Sequence, residues 1–143
     1  MKNLVFGLVA FMALQSEAQP IFSSKGAAIR GYDMVGYFTE DKAVKGKKKF
    51  SYTWHDAEWR FKDSVNLEKF KMSPESYAPQ FGGYCAYGVS ENHKSPTDPN
   101  AFTVLNGKLY LNYSMMVRQL WYKDRDDHIQ KAEKNWPELK NKD

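Results

Sequence analysis

The pattern of hydrophobic and polar positions changes character along the chain. In residues 50–61 and again in residues 102–111, aromatic and aliphatic residues alternate with smaller or polar ones, which is the period of a β-strand. After Asn112 the apolar positions recur at the period of an amphipathic helix. The pattern therefore predicts an α+β fold, with two β-hairpins followed by a helical C-terminal region.

Turn-forming residues mark the centre of each predicted hairpin. His55-Asp56-Ala57 separates the first pair of strands, and Asn106-Gly107 joins the second pair. Asn-Gly is the strongest two-residue hairpin signal, because a type I′ turn needs a positive φ angle at both central positions. We therefore predict a small antiparallel sheet that is built from these hairpins and packed against the C-terminal helices.

Other segments carry shorter signals. Asp63 or Ser64 is expected to cap a helix, and Ser73-Pro74-Glu75 is expected to begin a short helical turn. Residues 31–38 alternate turn formers with aromatic residues and predict a turn that runs into a short strand. The acidic cluster at residues 124–127 predicts a break between two C-terminal helices.

These elements also predict which side chains form the core. Aromatic residues make up 15 % of the chain, and most of them are needed to build the core of a polar sequence. The side chains expected to be largely buried are Trp54, Trp59, Phe61, Phe81, Leu109, Leu111, Trp121 and Ile129.

The N-terminus has the pattern of a secretory signal peptide. Lys2 precedes the apolar run Leu4–Leu14, and Ser16-Glu17-Ala18 places small residues where signal peptidase reads the chain. Cleavage is expected after Ala18, so that the mature chain begins at Gln19. The apolar run is shorter than the ~20 residues that a membrane span needs. The expected location is therefore the periplasm or the cell exterior, with no membrane span in the mature chain.

The expected mature chain has the length of a single domain. Residues 19–30 are interpreted as a polar lead-in, residues 31–137 as the domain that ends at Pro137, and residues 138–143 as a charged tail. The net charge of the chain is +4, but its lysines are scattered among acidic residues. The densest basic run, Lys47-Lys48-Lys49, is interpreted as solvated surface, and nucleic-acid binding is not expected.

Cys85 is the one cysteine of the chain and lies in the stretch FGGYCAYG. Exported proteins that use cysteines for stability carry them in pairs. Cys85 is therefore a buried core residue, a reactive thiol, a metal ligand or a bridge between two chains. Gly82 and Gly83, just before it, predict a backbone bend or close packing.

Four motifs occur in order along the chain: GYDMVGYF, WRF, FGGYCAYGV and GKLYLNY. Together they resemble the exported branch of the YHS domain family, and the resemblance covers residues 28–137. It implies a small α+β, treble-clef-like unit. It also implies an association with metal handling, because members of the wider family are attached to copper-transporting ATPases and to some oxygenases.

The chain departs from the wider family where that family carries its metal-binding cysteines. Gly36 and Tyr37 follow Asp33-Met34-Val35 without a cysteine, and Phe61-Lys62-Asp63-Ser64 is equally free of one. The motif residues expected to have a structural role are Gly31, Tyr32, Asp33, Gly82, Gly83, Tyr84, Asn106 and Gly107. Asp33 is the best candidate for a carboxylate that bonds backbone amides in a turn.

The candidate metal ligands are few. A structural zinc site needs about four Cys or His ligands, and the chain has one cysteine and three histidines, His55, His93 and His128. Copper(I) accepts two or three soft ligands. The candidate copper site is therefore Cys85 with His93, either alone or with one of the methionines Met34, Met115 or Met116 as a third ligand. The structural alternative is that the methionines fill the core and the histidines are solvated.

These observations lead to three functional hypotheses. The preferred one is an exported, non-enzymatic binding protein of the YHS family, linked to copper handling through Cys85. The first alternative is a thiol enzyme in which His93 holds Cys85 as a thiolate. The second is a purely structural interaction domain. The partner would be a protein or a small ligand, and the motif tyrosines belong either to the core or to a small-ligand pocket.

Overall fold

The computed structural model describes Gly7, Ala10 and residues 19–143. The predicted signal peptide and its cleavage site therefore lie outside the continuously described part of the chain. Within the described residues the fold is α+β, with six α-helices and three two-stranded antiparallel sheets. This confirms the predicted fold class. None of the helices described is long and apolar enough to cross a membrane.

The elements follow one another in a fixed order along residues 19–143. The strands are β1 (Ser23–Ser24), β2 (Ala27–Ala28), β3 (Lys47–Trp54), β4 (Ala57–Phe61), β5 (Phe102–Leu105) and β6 (Lys108–Leu111). The helices are α1 (Met34–Thr39), α2 (Ser64–Met72), α3 (Pro74–Tyr77), α4 (Ala86–Ser90), α5 (Met115–Lys123) and α6 (Arg125–Leu139). Two 3-10 turns span Ile29–Gly31 and Gln80–Gly83.

Both predicted hairpins are present. His55 and Asp56 turn β3 into β4 with φ angles of 49° and 57°, and Asn106 and Gly107 turn β5 into β6 with φ angles of 52° and 72°. Each hairpin forms its own two-stranded sheet, whereas we expected one sheet built from both. The reason is packing, since β3 and β4 lie against α2 while β6 lies against the 3-10 turn Gln80–Gly83.

The local prediction for residues 31–38 is wrong, because Met34–Thr39 form helix α1 where we expected a short strand. Asp33 is the N-cap of α1, and its Oδ1 accepts the N–H groups of Val35 at 2.9 Å and Gly36 at 3.3 Å. The first four residues of α1 are all buried. A helix without an exposed face in this segment shows no helical period in its sequence, so the pattern there was uninformative.

The C-terminal helices follow the prediction at one end and depart from it at the other. The break at the acidic cluster is confirmed, since α5 ends at Lys123 and α6 begins at Arg125. We expected the domain to end at Pro137 and residues 138–143 to form a charged tail, whereas helix α6 continues past Pro137 to Leu139. A proline near a helix end removes a single backbone hydrogen bond, and the burial of Leu139 in the core stabilises the final turn.

The buried side chains form two hydrophobic clusters. The first cluster surrounds Trp59, Phe61 and Phe70, and the second cluster surrounds Trp121 and Trp136. Of the predicted core residues, those that are buried are Trp59, Phe61, Phe81, Leu109, Leu111 and Trp121. Trp54 and Ile129 are only partly buried, at the edges of the first and second cluster respectively.

Candidate functional site

The glycine pair before Cys85 combines a bend with close packing. Phe81, Gly82 and Gly83 have consecutive positive φ angles of 57°, 62° and 82°. A Cβ atom on Gly82 would lie 1.9 Å from the carbonyl oxygen of Pro20, and one on Gly83 would lie 2.1 Å from Cδ1 of Ile29. The N-terminal lead-in therefore docks directly on this turn, and a side chain at either glycine would push it away.

Cys85 lies two residues after Gly83 and caps helix α4. Its sulfur accepts the N–H groups of Gly88 at 3.5 Å and Tyr113 at 3.3 Å, and its thiol donates to Oδ1 of Asn112 at 3.5 Å. The side chain is 2 % exposed, and the Cys85 N–H donates to the carbonyl oxygen of Ser95. The thiol is thus held on several sides by the main chain and by one buried amide.

Burial decides the protonation of this thiol. Desolvation raises the pKa of Cys85, and the backbone N–H groups of Gly88 and Tyr113, which favour the thiolate, lower it by less. At neutral pH the sulfur is therefore protonated. The thiolate is the form that attacks electrophiles and binds metals, so this environment disfavours both reactions.

His93 lies near Cys85 but does not bond its sulfur. The His93 N–H donates to the carbonyl oxygen of Gly88 at 3.0 Å, and a Cβ atom on Gly88 would lie 3.1 Å from the imidazole Nε2. Both predicted partners therefore contact Gly88, and the structure brings them to the same turn of α4. The hydrogen-bonding partners of the sulfur are Gly88, Asn112 and Tyr113, and the imidazole is not one of them.

Asn112 is the site residue that the sequence reasoning missed. It is fully buried, and its Oδ1 accepts both the Cys85 thiol and the N–H of Tyr87 at 3.0 Å. Its backbone N–H donates to Ala101, and its carbonyl oxygen accepts the N–H of Asp98. The available signal was its place in the GKLYLNY motif, directly after β6.

The other candidate metal ligands lie in different surroundings. Met34 is buried in the first cluster, whereas Met115 and Met116 are exposed at the start of α5. Nδ1 of His55 accepts the backbone N–H of Gln19, and Nδ1 of His128 lies 2.9 Å from the Ser90 hydroxyl. Across residues 19–143 no group of three or more His, Cys, Asp or Glu side chains is placed to hold a metal ion.

The Asp33 carboxylate is the most heavily used polar group of the motifs. Besides the two amides of α1, its Oδ2 accepts the Lys62 N–H at 2.9 Å and the Asn66 side-chain amide at 2.8 Å. Asp33 is fully buried. It therefore ties α1 to the segment after β4 and to α2, which is a structural role.

The motif tyrosines do not line a common pocket. Tyr37 and Tyr110 are buried, and the Tyr37 hydroxyl donates to the carbonyl oxygen of Pro99 at 2.7 Å. Burial raises the pKa of Tyr37, with smaller contributions from Tyr32 and Asp98. The remaining motif tyrosines are half-buried or, at Tyr113, exposed. Most of this set belongs to the core and its margins.

An open cleft of about 430 Å³, here called the aromatic cleft, takes its walls from both hydrophobic clusters. Trp54 and His55 come from the first hairpin, Phe81 from the 3-10 turn, and Trp136 from α6. The other lining residues are Gln19, Glu75, Ala78, Pro79, Gln80, Glu133 and Pro137. The Phe81 and Trp136 ring centroids are 6.0 Å apart in an edge-to-face arrangement, which fixes both rings in the wall.

Sequence reasoning had no means of finding this cleft, because its aromatic walls come from segments far apart in the chain.

The comparisons with other proteins leave the resemblance to the YHS family as a prediction from motif order. No family model, no curated protein and no solved structure matches this chain.

Proposed function

We propose that this chain is an exported, non-enzymatic binding protein of the YHS family that binds a small ligand in the aromatic cleft. The observation that carries the proposal is the wall of the cleft, where Trp54, Phe81 and Trp136 from separate segments surround about 430 Å³ of open volume. Small-molecule sites are commonly concave spaces of ~300–1,000 Å³, lined by aromatic side chains with a few polar groups.

The surroundings of the nucleophilic side chains support a non-enzymatic role. The Cys85 thiol is buried, its pKa is raised by desolvation, and its hydrogen bonds hold it at the start of α4. Ser90 pairs with Nδ1 of His128, but its hydroxyl also bonds the carbonyl oxygen of Tyr87 and is largely buried. A catalytic nucleophile must be accessible to its substrate. The Cys85 thiol and the Ser90 hydroxyl are both buried and therefore poorly accessible.

Copper handling through Cys85 is the second candidate function. One observation favours it, namely that Cys85 and His93 both contact Gly88. Metal ligation requires the thiolate, so copper(I) would have to displace the proton and the hydrogen bond to Asn112. Native mass spectrometry of wild type and Cys85→Ser with copper(I) tests this candidate function. It requires that the wild type forms a one-to-one copper complex and that Cys85→Ser does not.

The main proposal is tested by filling the cleft. We would screen charged and neutral small molecules for an increase in melting temperature and compare the wild type with Gln80→Trp, since Gln80 lines the cleft. Gln119→Trp is the matched control, because Gln119 is exposed on α5 and adds the same side chain elsewhere. We expect Gln80→Trp to lose binding and Gln119→Trp to retain it. A screen without any binder, or binders indifferent to Gln80→Trp, would contradict the proposal.

A further inference from the structure

We infer that the aromatic cleft selects a small organic cation, such as a quaternary ammonium or a protonated amine. This inference rests on the proposed function, because it names the ligand class of the same cleft. Two independent properties of the wall carry it: the sign of its charged side chains and the kind of ring that faces the open volume.

The charge of the wall is opposite to the charge of the chain. The protein carries a net charge of +4, yet Glu75 and Glu133 line the cleft and no lysine or arginine is among its lining residues. The carboxylates come from α3 and α6, so they approach the cleft from different elements. None of the ion pairs in the described part of the chain involves either one. The two carboxylates attract a cation that enters the cleft and repel an anion.

The rings of the wall suit the same ligand. Trp54 is half-buried and forms an edge-to-face pair with His55, with ring centroids 3.9 Å apart. Trp136 also lines the cleft and forms an edge-to-face pair with Phe81. Tryptophan offers the most favourable face for a cation, and one such contact strengthens binding by about two- to thirtyfold, depending on desolvation. A neutral apolar ligand would gain free energy from the burial of its apolar surface but would not gain the cation–π attraction.

The test compares a cation with its neutral isostere. Choline and 3,3-dimethylbutan-1-ol have the same shape and differ in the charged nitrogen. Isothermal titration calorimetry of the purified protein is expected to give choline an affinity at least about tenfold higher than the alcohol. After the expected cleavage behind Ala18, Gln19 would carry an α-amino group beside His55 in the wall of the cleft. Mass spectrometry of the purified protein therefore first establishes whether that group is free, because a free one would compete with an added cation.

Three variants separate the two sources of selectivity. Glu133→Gln is expected to weaken choline about threefold to tenfold and to leave the alcohol unchanged. Glu138→Gln is its control, since Glu138 is exposed on the same helix and does not line the cleft. Trp54→Leu keeps an apolar wall but removes the ring, so it should weaken choline and spare the alcohol. Thermal melts followed by circular dichroism verify that each variant is folded.

The outcomes distinguish this inference from the function on which it rests. If the alcohol binds as tightly as choline, or if Glu133→Gln has no larger effect than Glu138→Gln, selection of a cation is overturned while the cleft remains a binding site. If choline fails to bind and another compound binds in a manner blocked by Gln80→Trp, the inference again fails alone. If no compound binds, both fail.

Discussion

Removal of the Asp33 carboxylate should destabilise this protein more than removal of any other helix cap. The side chain is fully buried and accepts four hydrogen bonds, from the main chain of Val35, Gly36 and Lys62 and from the side chain of Asn66. Loss of an N-cap costs about 1 kcal/mol. Each buried donor left without a partner adds about 1–3 kcal/mol, less where water can reach it.

Asp33→Ala should therefore lower the free energy of unfolding by about 3–5 kcal/mol. Asp63→Ala is the matched control, because Asp63 caps α2 through a single hydrogen bond to Asn66 and is half-buried. Its cost should be about 1 kcal/mol. The assay is urea denaturation followed by tryptophan fluorescence. The m-values of the variants are compared with that of the wild type to verify that unfolding remains two-state.

Asp33→Asn extends the test to a variant of nearly identical shape. The amide keeps the oxygen that accepts from Val35 and Gly36, but it places an NH₂ group against the donors of Lys62 and Asn66. Its cost should lie between those of Asp63→Ala and Asp33→Ala. Our reasoning is refuted if Asp33→Ala folds and loses no more stability than Asp63→Ala.

Four further predictions concern other parts of the fold. Gly107→Val should cost about 2 kcal/mol through backbone strain alone, because Gly107 has a φ of 72° and a Cβ there meets no neighbour; an unchanged melting temperature, or an equal loss in Gly107→Asn, would contradict this. Trp59→Ala should cost about 3–5 kcal/mol in urea denaturation, since the ring is buried against Trp54 and Phe70; a loss under about 1 kcal/mol would show that the ring is not a core group. Cys85 should resist alkylation by iodoacetamide until the protein is denatured, with or without copper(I), because its thiol is buried. Cys85→Ala should lower the free energy of unfolding by about 1–2 kcal/mol. Rapid alkylation of the native protein that slows in His93→Ala would instead favour the thiol enzyme. Because burial raises the pKa of Cys85 in the folded state, the protonated thiol stabilises the fold fully below the ordinary thiol pKa of about 8.5, and this stabilisation is lost as the pH rises through the raised pKa. Wild type should therefore lose more stability than Cys85→Ala between neutral and alkaline pH. Parallel stability profiles of the two proteins would argue against a raised pKa at Cys85.

The sequence by itself determined the features that depend on neighbouring residues. Asn106-Gly107 specifies its turn because the positive φ angles it needs are a property of those two residues. Asp63 caps α2 through an amide three positions away, and the acidic cluster separates α5 from α6. Such signals are read correctly from one segment, because the atoms that make the structure belong to that segment.

Only the tertiary structure decided the features in which distant segments meet. α1 was mistaken for a strand because burial of its first four residues erased the polar face that would have shown a helical period. The two hairpins remained separate sheets because each buries its apolar face against a different element. These outcomes depend on which surfaces compete for burial, and local propensity does not encode that competition.

The candidate sites follow the same division. The sequence identified Cys85 and its neighbouring glycines, but the protonation of the thiol depends on its burial, and the Asn112 side chain that accepts its hydrogen bond comes from the residue after β6. The aromatic cleft exists because Trp54, Phe81 and Trp136 converge from three elements. A binding wall made in this way has no motif of its own, since its geometry arises only when separate elements of the folded chain come together.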